Sequence, residues 1–149
     1  MKITRMLALL VQESNRTGSA TVDWLDETKT VLIQRLKGEW TWQGCYWGLI
    51  QVYYRVMVSP HPVDFVCDLS ESGSFPEALW LALRDEWLWK QSKWPKRLRR
   101  VIIIGGGEEL QQLFDLRRQV APETMQFFHA VRTYDEALAL LKTWLLNAG

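Results

Sequence analysis

Two short, almost wholly apolar segments constrain the fold of this chain more than any other feature. One is V-D-F-V-C-D-L over Val63–Leu69, and the other is V-I-I-I over Val101–Ile104, which three glycines follow. Short apolar runs between loop segments are typical of buried strands. Helical patterns separate the two runs from each other and from a later strand. This alternation of strand and helix predicts a mainly parallel sheet.

The remaining elements follow from residue periodicity, from proline and glycine positions and from capping signals. Strands are predicted over residues 5–12, 21–26, 30–37, 63–69, 100–104 and 124–130, with the second and third forming a hairpin. Helices are predicted over residues 41–58, 75–93, 108–119 and 133–147, with capping boxes at Ser74–Glu77 and Thr133–Glu136. In the first helix, the stripe predicted to face the core is Trp42, Tyr46, Leu49, Ile50, Tyr53 and Met57.

Length, charge and cysteine content exclude several classes of protein. A chain of 149 residues fits one domain, and a formal net charge of +1 argues against a nucleic-acid-binding role. Cys45 and Cys67 lie in apolar segments without a CxxC or Cys/His cluster, which favours two buried thiols over a disulfide between them and predicts no metal site. The apolar run Met6–Val11 is shorter than a secretory signal needs. We therefore expect a protein of the reducing cytoplasm without a cofactor.

Four segments together resemble the STAS domains and the related SpoIIAA-like proteins, the sulfate-transporter and anti-sigma-factor-antagonist modules. They are V-L-I-Q-R-L-K-G-E-W-T-W (31–42), V-D-F-V-C-D-L-S (63–70), L-R-R-V-I-I-I-G (98–105) and F-F-H-A-V-R-T-Y-D-E-A-L-A-L-L (127–141). The resemblance makes residues 30–149 a family-like core, to which residues 1–29 add an N-terminal strand and the start of a hairpin. It implies a single α/β domain over residues 1–149, with a mixed, mostly parallel sheet, N-terminal antiparallel strands and about four helices largely on one face.

The resemblance also draws attention to the loop after the central strand. In anti-sigma-factor antagonists this loop carries an Asp-Ser pair, whose serine is phosphorylated at a helix N-terminus. Here the loop reads D-L-S-E-S-G-S-F-P-E over Asp68–Glu77, which is shorter and has no Asp-Ser dipeptide. The candidate switch residues are Asp68, Ser70, Ser72 and Ser74. The alternative is that Ser74 only caps the following helix, since capping boxes are common.

Aromatic residues are the second candidate site, because nine of the residues are tryptophan. Helix 41–58 carries a second apolar stripe at Trp47, Tyr54 and Val58, whereas a helix on one face of a sheet needs only one stripe. Tryptophan and tyrosine are favoured in interfaces. We therefore predict an association surface, either a homodimer contact or a partner groove, at Trp47, Tyr54, Trp80, Trp87, Trp89 and Trp94. The alternative is a larger core in which the N-terminal hairpin covers these helices.

A basic segment adjoins the second helix. Lys90, Lys93, Lys96 and Arg97 lie close together, with Trp94 among them and no acidic residue. Such a segment suits an anionic membrane surface or single-stranded nucleic acid. The favoured alternative is a solvated connector that places cations at a helix C-terminus.

These observations give three hypotheses of function. The first is a non-enzymatic, STAS-like regulatory module that acts by protein–protein contact, since no motif brings an acid, a base and a nucleophile together. The second is a carrier or sensor of a small apolar ligand, held in an aromatic-lined pocket between helices and sheet. The third is peripheral membrane attachment through Trp89, Trp94 and the basic segment.

Overall fold

The computed structural model describes residues 16–77, 79 and 94–147. The predicted strand over residues 5–12 and nearly all of the predicted helix over residues 75–93 lie outside the described residues. The same is true of five candidate site residues, namely Trp80, Trp87, Trp89, Lys90 and Lys93.

Five strands form one mixed sheet, in the order β1-β2-β3-β4-β5. They are β1 (Gly18–Trp24), β2 (Val31–Gly38), β3 (Val63–Leu69), β4 (Leu98–Gly105) and β5 (Phe128–Val131). β1 is antiparallel to β2, and each later strand is parallel to its neighbour. The described helices are α1 (Trp42–Val58), α2 (Gly107–Val120), α3 (Pro122–Met125) and α4 (Tyr134–Asn147). The predicted fold class is confirmed.

The helices that connect parallel strands lie mainly on one face of the sheet. α1 connects β2 to β3, and α2 with α3 connects β4 to β5. When parallel strands follow one another in sequence order, right-handed crossovers all return over the same face. α4 follows β5 and covers the opposite face, as the packing of its Ala137 shows. The prediction of helices largely on one face therefore holds.

Alternate residues of each strand fill two cores. The core under α1 and α2 contains Leu32, Leu36, Phe65, Val101, Val52, Val56 and Phe114. The core under α4 contains Ile33, Val66, Ile102, Ile104 and Ala137. Because both faces of the inner strands are covered, their sequences are continuous apolar runs rather than alternating ones.

The buried side of α1 differs from the predicted stripe. The buried residues are Trp42, Cys45, Gly48, Val52 and Val56, whereas Tyr46, Ile50, Tyr53 and Met57 of the predicted stripe are exposed. Small and β-branched residues allow the helix to approach the sheet closely. A Cβ on Gly48 would lie only 2.3 Å from Nε2 of Gln34 in β2. Close packing thus selects a side of the helix that hydrophobic periodicity alone did not identify.

The predicted strand over residues 124–130 is wrong at its beginning. Residues 122–125 form α3, with Pro122 at its start, and the backbone N–H of Met125 donates to the carbonyl of Ala121 at 3.1 Å. Proline is favoured in the first helical turn, because it has no N–H to leave unbonded there. The strand therefore begins only at Phe128.

Threonine hydroxyls cap the starts of two helices, and the second of these caps was predicted from the sequence. The Gly44 N–H donates to the Thr41 hydroxyl at 2.9 Å, which caps α1. The Glu136 N–H donates to the Thr133 hydroxyl at 3.1 Å, and the Glu136 carboxylate accepts from the Arg132 N–H at 2.9 Å. These side chains satisfy backbone groups that have no partner within the helix.

Candidate functional site

The predicted switch loop lies against the loop between β2 and α1, at the carboxyl end of the parallel strands. The Gly38 N–H donates to the Glu71 carbonyl at 2.9 Å, and the Gly73 N–H donates to the Gly38 carbonyl at 2.8 Å. These bonds extend the parallel pairing of β2 with β3 by an isolated bridge between Gly38 and Ser72. Backbone hydrogen bonds therefore hold the switch loop in place.

Glu39 joins the two loops through its side chain. Its carboxylate accepts hydrogen bonds from the Ser74 hydroxyl and from the Ser74 N–H, the latter at 3.2 Å. These two bonds, together with the charge of Arg16 at 3.1 Å, lower the pKa of Glu39. The predicted capping box at Ser74 is wrong, because Glu39 engages the Ser74 hydroxyl and helical conformation begins only at Glu77.

Arg16 adds a second set of contacts to the same loops. Its Nε donates to the Trp40 carbonyl at 2.7 Å, and its guanidinium also donates to the Ser74 carbonyl. Sequence reasoning missed Arg16, which belongs to no motif, and Glu39, which lies in the 31–42 segment but carries no functional signal there. The partners of both residues in the switch loop lie far away in the chain.

Ser72 is the most constrained of the four predicted switch residues. Its hydroxyl accepts a hydrogen bond from Nε1 of Trp40 at 2.6 Å and donates to the Gly73 carbonyl at 3.1 Å. The carboxylate of Asp68 accepts from the N–H of Ser70 at 2.9 Å, and Ser70 is exposed. The structure thus places Ser72 and Ser74 against the 38–41 loop, and Asp68 with Ser70 in the preceding turn.

The glycine run after β4 is a tight turn next to the same loop. Gly105, Gly106 and Gly107 all have positive φ angles, of 79°, 92° and 70°. A Cβ on Gly106 would lie 2.4 Å from a methyl carbon of Leu110 in α2. Glycine is therefore needed for the backbone conformation and for close packing, which accounts for the run.

One side of α1 exposes a row of large apolar side chains. Trp47 and Tyr54, both predicted interface residues, are 57% and 62% exposed, so the β1–β2 hairpin does not cover them. We define the α1 surface as Trp47, Ile50, Tyr53, Tyr54, Met57 and Val58. Among the residues between them, Gln51 is exposed and uncharged, and Arg55 is half-buried.

An apolar cavity lies between α1, the sheet and the segment before β4. This outer cavity has a volume of about 350 Å³. Its described lining residues are Tyr46, Leu49, Ile50, Val52, Tyr53, Val56, Phe65, Trp94, Pro95, Leu98, Val101 and Phe128. The half-exposed Tyr46, Ile50 and Tyr53 form its rim, and the buried Val56 and Phe65 belong to its floor.

A smaller inner cavity of about 160 Å³ adjoins the outer one. Leu49, Phe65, Val101 and Phe128 line both cavities. The inner cavity extends toward α2 and the switch loop, where its lining includes Gln34, Leu36, Trp40, Trp42, Cys45, Cys67, Leu69, Phe75, Leu110 and Phe114. The described linings of both cavities contain no charged side chain.

The described part of the predicted basic segment does not form one surface. Trp94 is half-buried, with its ring 5.3 Å from that of Phe128, and it lines the outer cavity. Lys96 and Arg97 are exposed, and Arg97 donates to the Pro60 carbonyl at 2.7 Å. The Trp94 ring therefore packs at the outer cavity, whereas the cations that follow it are exposed.

The two arginines that follow this segment share one buried acid. Asp64, whose side chain is 3% exposed, accepts two hydrogen bonds from Arg99, at 3.0 and 2.7 Å. Nε of Arg100 lies 3.4 Å from the same carboxylate, and the Arg100 guanidinium stacks 3.8 Å from the centre of the Trp144 ring. A bulge in the pairing of β3 with β4 allows consecutive arginines to reach one acid.

The described residues show no cluster of metal-ligating side chains. No described helix combines the length and the hydropathy that crossing a membrane requires. Cys45 and Cys67 are present as thiols rather than as a disulfide. Burial, with a smaller effect of Asp68, raises the pKa of the Cys67 thiol to about 12, so this thiol is neutral at physiological pH and a poor nucleophile.

Comparison with known proteins identifies the fold. No protein-family model matches the sequence, and no curated protein is significantly similar to it. Among solved structures, the chain is similar to an uncharacterised protein of the DUF3478 family from Shewanella loihica, described as having a SpoIIAA-like fold. The two chains are 18% identical, with a TM-score of 0.56 over 86% of this chain and 98% of that one. The likeness shows a SpoIIAA-like fold, as the four sequence segments implied.

Proposed function

We propose that this protein of SpoIIAA-like fold is a non-enzymatic binding module that associates through the α1 surface. The observation that supports the proposal is the exposure of six large apolar side chains on one helix whose opposite side is buried. Single exposed apolar residues are ordinary, whereas a contiguous apolar patch is typical of an interaction site.

The partner that best fits the α1 surface is a second copy of this chain. With about 200 Å² for a large side chain, the six residues expose roughly 600 Å², about three quarters of the ~800 Å² that each partner of a standard interface buries. Homodimer interfaces are more apolar than other interfaces, and the α1 surface carries no charge. A net charge of +1 also gives two copies little mutual repulsion.

The test is the oligomeric state of matched variants, measured by analytical ultracentrifugation. Trp47→Ser and Tyr54→Ser change the α1 surface, and Leu145→Ser changes an even more exposed apolar residue on α4. Trp47 exposes roughly 140 Å², which corresponds to about 3 kcal/mol per copy if wholly buried. We therefore expect the dimer dissociation constant to rise at least ~100-fold in Trp47→Ser, and to change little in Leu145→Ser.

Two outcomes would contradict association through α1. One is a wild-type protein that stays monomeric up to its solubility limit. The other is a dimer whose dissociation constant is equally insensitive to Trp47→Ser and Leu145→Ser. Circular dichroism of each variant confirms that the fold is retained before the comparison is made.

A second function, the binding of a small apolar ligand, is favoured by the outer cavity. Its volume of about 350 Å³ lies within the range of ~300–1,000 Å³ that is usual for ligand sites. Five of its lining residues are aromatic, namely Tyr46, Tyr53, Phe65, Trp94 and Phe128. Aromatic and aliphatic walls without charge suit an uncharged, largely apolar molecule.

Native mass spectrometry of gently purified protein tests ligand binding. We expect an additional mass of a few hundred daltons per chain, which should be lost when Phe65→Trp fills the floor of the cavity. An unaltered chain mass, together with no binding of added apolar probes in solution, would contradict this second function.

A reducing, cytoplasmic location is consistent with either function. Cys45 and Cys67 are both thiols, and a buried neutral thiol behaves as a small apolar side chain. Fluorescence microscopy of the tagged protein in its native cell tests this location, and an extracellular signal would contradict it.

A further inference from the structure

Four exposed apolar residues of α1 follow the spacing that is typical of paired helices. They are Trp47, Ile50, Tyr54 and Met57, which we call the α1 seam. Their separations of three, four and three residues are those of the two apolar positions in the seven-residue repeat of coiled coils. At 3.6 residues per turn, the four side chains lie within an arc of roughly 80° around the helix.

The α1 seam points away from the sheet. Gly48, Val52 and Val56 lie on the opposite side of the helix, where they are buried against the strands. The seam itself extends over about 15 Å, or nearly three helical turns. Packing on the sheet therefore leaves exposed the side of α1 with which a second helix can pair.

The order of the side chains along the α1 seam favours an antiparallel pair. In a parallel pair each residue faces its own copy, so Trp47 would meet Trp47 and Tyr54 would meet Tyr54. In an antiparallel pair centred at the level of Val52, Trp47 faces Met57 and Ile50 faces Tyr54. Every layer then combines an aromatic with an aliphatic side chain, which fills the space between the helices evenly. A methionine sulfur beside an aromatic ring is also a favourable contact.

We infer that two copies of this protein associate by antiparallel pairing of their α1 helices, about a twofold axis at the level of Val52. This inference rests on the association proposed above and adds the geometry of the interface. Both copies use the same surface in such a contact, so the contact is closed and limits the assembly to a dimer.

The same geometry brings the two outer cavities together. Tyr53 lines the outer cavity and flanks the α1 seam on the side of that cavity. In the antiparallel pair, the Tyr53 residues of the two copies are offset by only about 3 Å along the helix axes. The rims of the two outer cavities therefore adjoin across the twofold axis, and the second copy contributes to the mouth of each.

Cysteine cross-linking at two exposed glutamines of α1 tests this geometry on the full chain. Gln51 flanks the α1 seam on the side opposite Tyr53, and Gln43 continues the line of the seam four residues before Trp47. In the antiparallel dimer, the two Gln51 positions are offset by about 3 Å along the helix axes, whereas the two Gln43 positions are about 27 Å apart. A parallel pair reverses the pattern, since Gln43 would face its own copy and the two Gln51 positions would lie on opposite flanks.

We expect bismaleimidoethane, a short thiol cross-linker, to join Gln51→Cys chains at least ~tenfold more efficiently than Gln43→Cys chains, because only the shorter separation lies within its reach. The measurement is made by denaturing gel, at a protein concentration above the dimer dissociation constant. The wild-type protein gives the background of the native thiols Cys45 and Cys67. Adding Trp47→Ser should reduce the cross-linking of Gln51→Cys, and adding Leu145→Ser should not.

A dimer that is cross-linked through Gln43→Cys, through both positions equally or through neither overturns the antiparallel pairing. The comparison of Trp47→Ser with Leu145→Ser then still decides whether α1 is the interface. A wild-type protein that stays monomeric up to its solubility limit overturns the inference together with the proposed association. Because both glutamines are exposed, we expect the two cysteine variants to keep the fold, and circular dichroism checks this.

Discussion

Replacing Ser72 with alanine should destabilise the protein by leaving the Trp40 indole N–H without its acceptor. Trp40 is almost fully buried, and its Nε1 donates to the Ser72 hydroxyl at 2.6 Å. A buried donor that loses its partner costs ~1–3 kcal/mol. Ser72 itself is half-buried, so water can reach part of the vacated space. We therefore expect the free energy of unfolding to fall by about 1–2 kcal/mol.

Urea denaturation followed by circular dichroism measures this loss. Ser70→Ala is the matched control, since Ser70 is exposed and its hydroxyl makes no hydrogen bond within the described residues. Trp40→Phe removes the indole N–H and allows a double-mutant cycle with Ser72→Ala. If the hydrogen bond carries the effect, the coupling energy between the two positions should be about 1 kcal/mol.

Either of two results would contradict this argument. One is a free energy of unfolding for Ser72→Ala that lies within ~0.3 kcal/mol of that for Ser70→Ala. The other is a loss of stability from Ser72→Ala that is as large in the Trp40→Phe background as in the wild type. Confirmation would bear on the predicted phosphoswitch. A phosphate on Ser72 would remove the hydroxyl proton that is donated to the Gly73 carbonyl and would place a charged group beside the Trp40 indole, and a phosphate on Ser74 would lie beside the Glu39 carboxylate. Modification of this loop would then separate it from the 38–41 loop.

Two further predictions concern charged groups. Asp64→Ala should lower the free energy of unfolding, measured by urea denaturation, by about 2–4 kcal/mol; the loss is smaller than for a fully buried pair because Arg99 is partly exposed. As the control, Asp23→Ala removes an exposed acid and should change the free energy of unfolding by less than ~0.5 kcal/mol. Equal losses of stability in the two variants would contradict this prediction. Burial, then the charges of Arg100 and Arg118, lower the pKa of His129, so the unfolded chain takes up a proton more readily than the folded one. The free energy of unfolding should therefore decrease as the pH falls below 6.5, the usual pKa of histidine. When stability is measured between about pH 8 and about pH 5, His129→Gln should flatten this decrease, and an unchanged slope would refute the assignment to His129.

Candidate site residues divide according to how local their signals are. Trp47 and Tyr54 were recognised because a second apolar stripe is visible in a single helix, and Ser72 because it lies in the loop that the resemblance marks. Glu39 and Arg16 carry no such signal, since their hydrogen-bond partners in the switch loop lie 35 and 58 residues further along the chain. Only the folded chain brings them together.

Gln34 is an intermediate case. A single polar residue inside the apolar run V-L-I-Q-R-L is unusual for a buried strand, and the positions of Leu32 and Leu36 place it on the same face as they are. What the sequence could not supply is the cavity beside it or the carbonyl of Cys45 that orients its amide.

The sequence alone determined the order and type of most elements, including the span of β3, the cap at Thr133 and the mainly parallel sheet. These features depend on neighbours within a few residues, or on a topology that has few alternatives. Only the tertiary structure decided which side of α1 is buried, because that choice depends on how closely Gly48 approaches β2, as well as on hydrophobic periodicity. The same holds for the contact between the switch loop and the 38–41 loop and for the paired cavities, which exist only where segments distant in sequence meet.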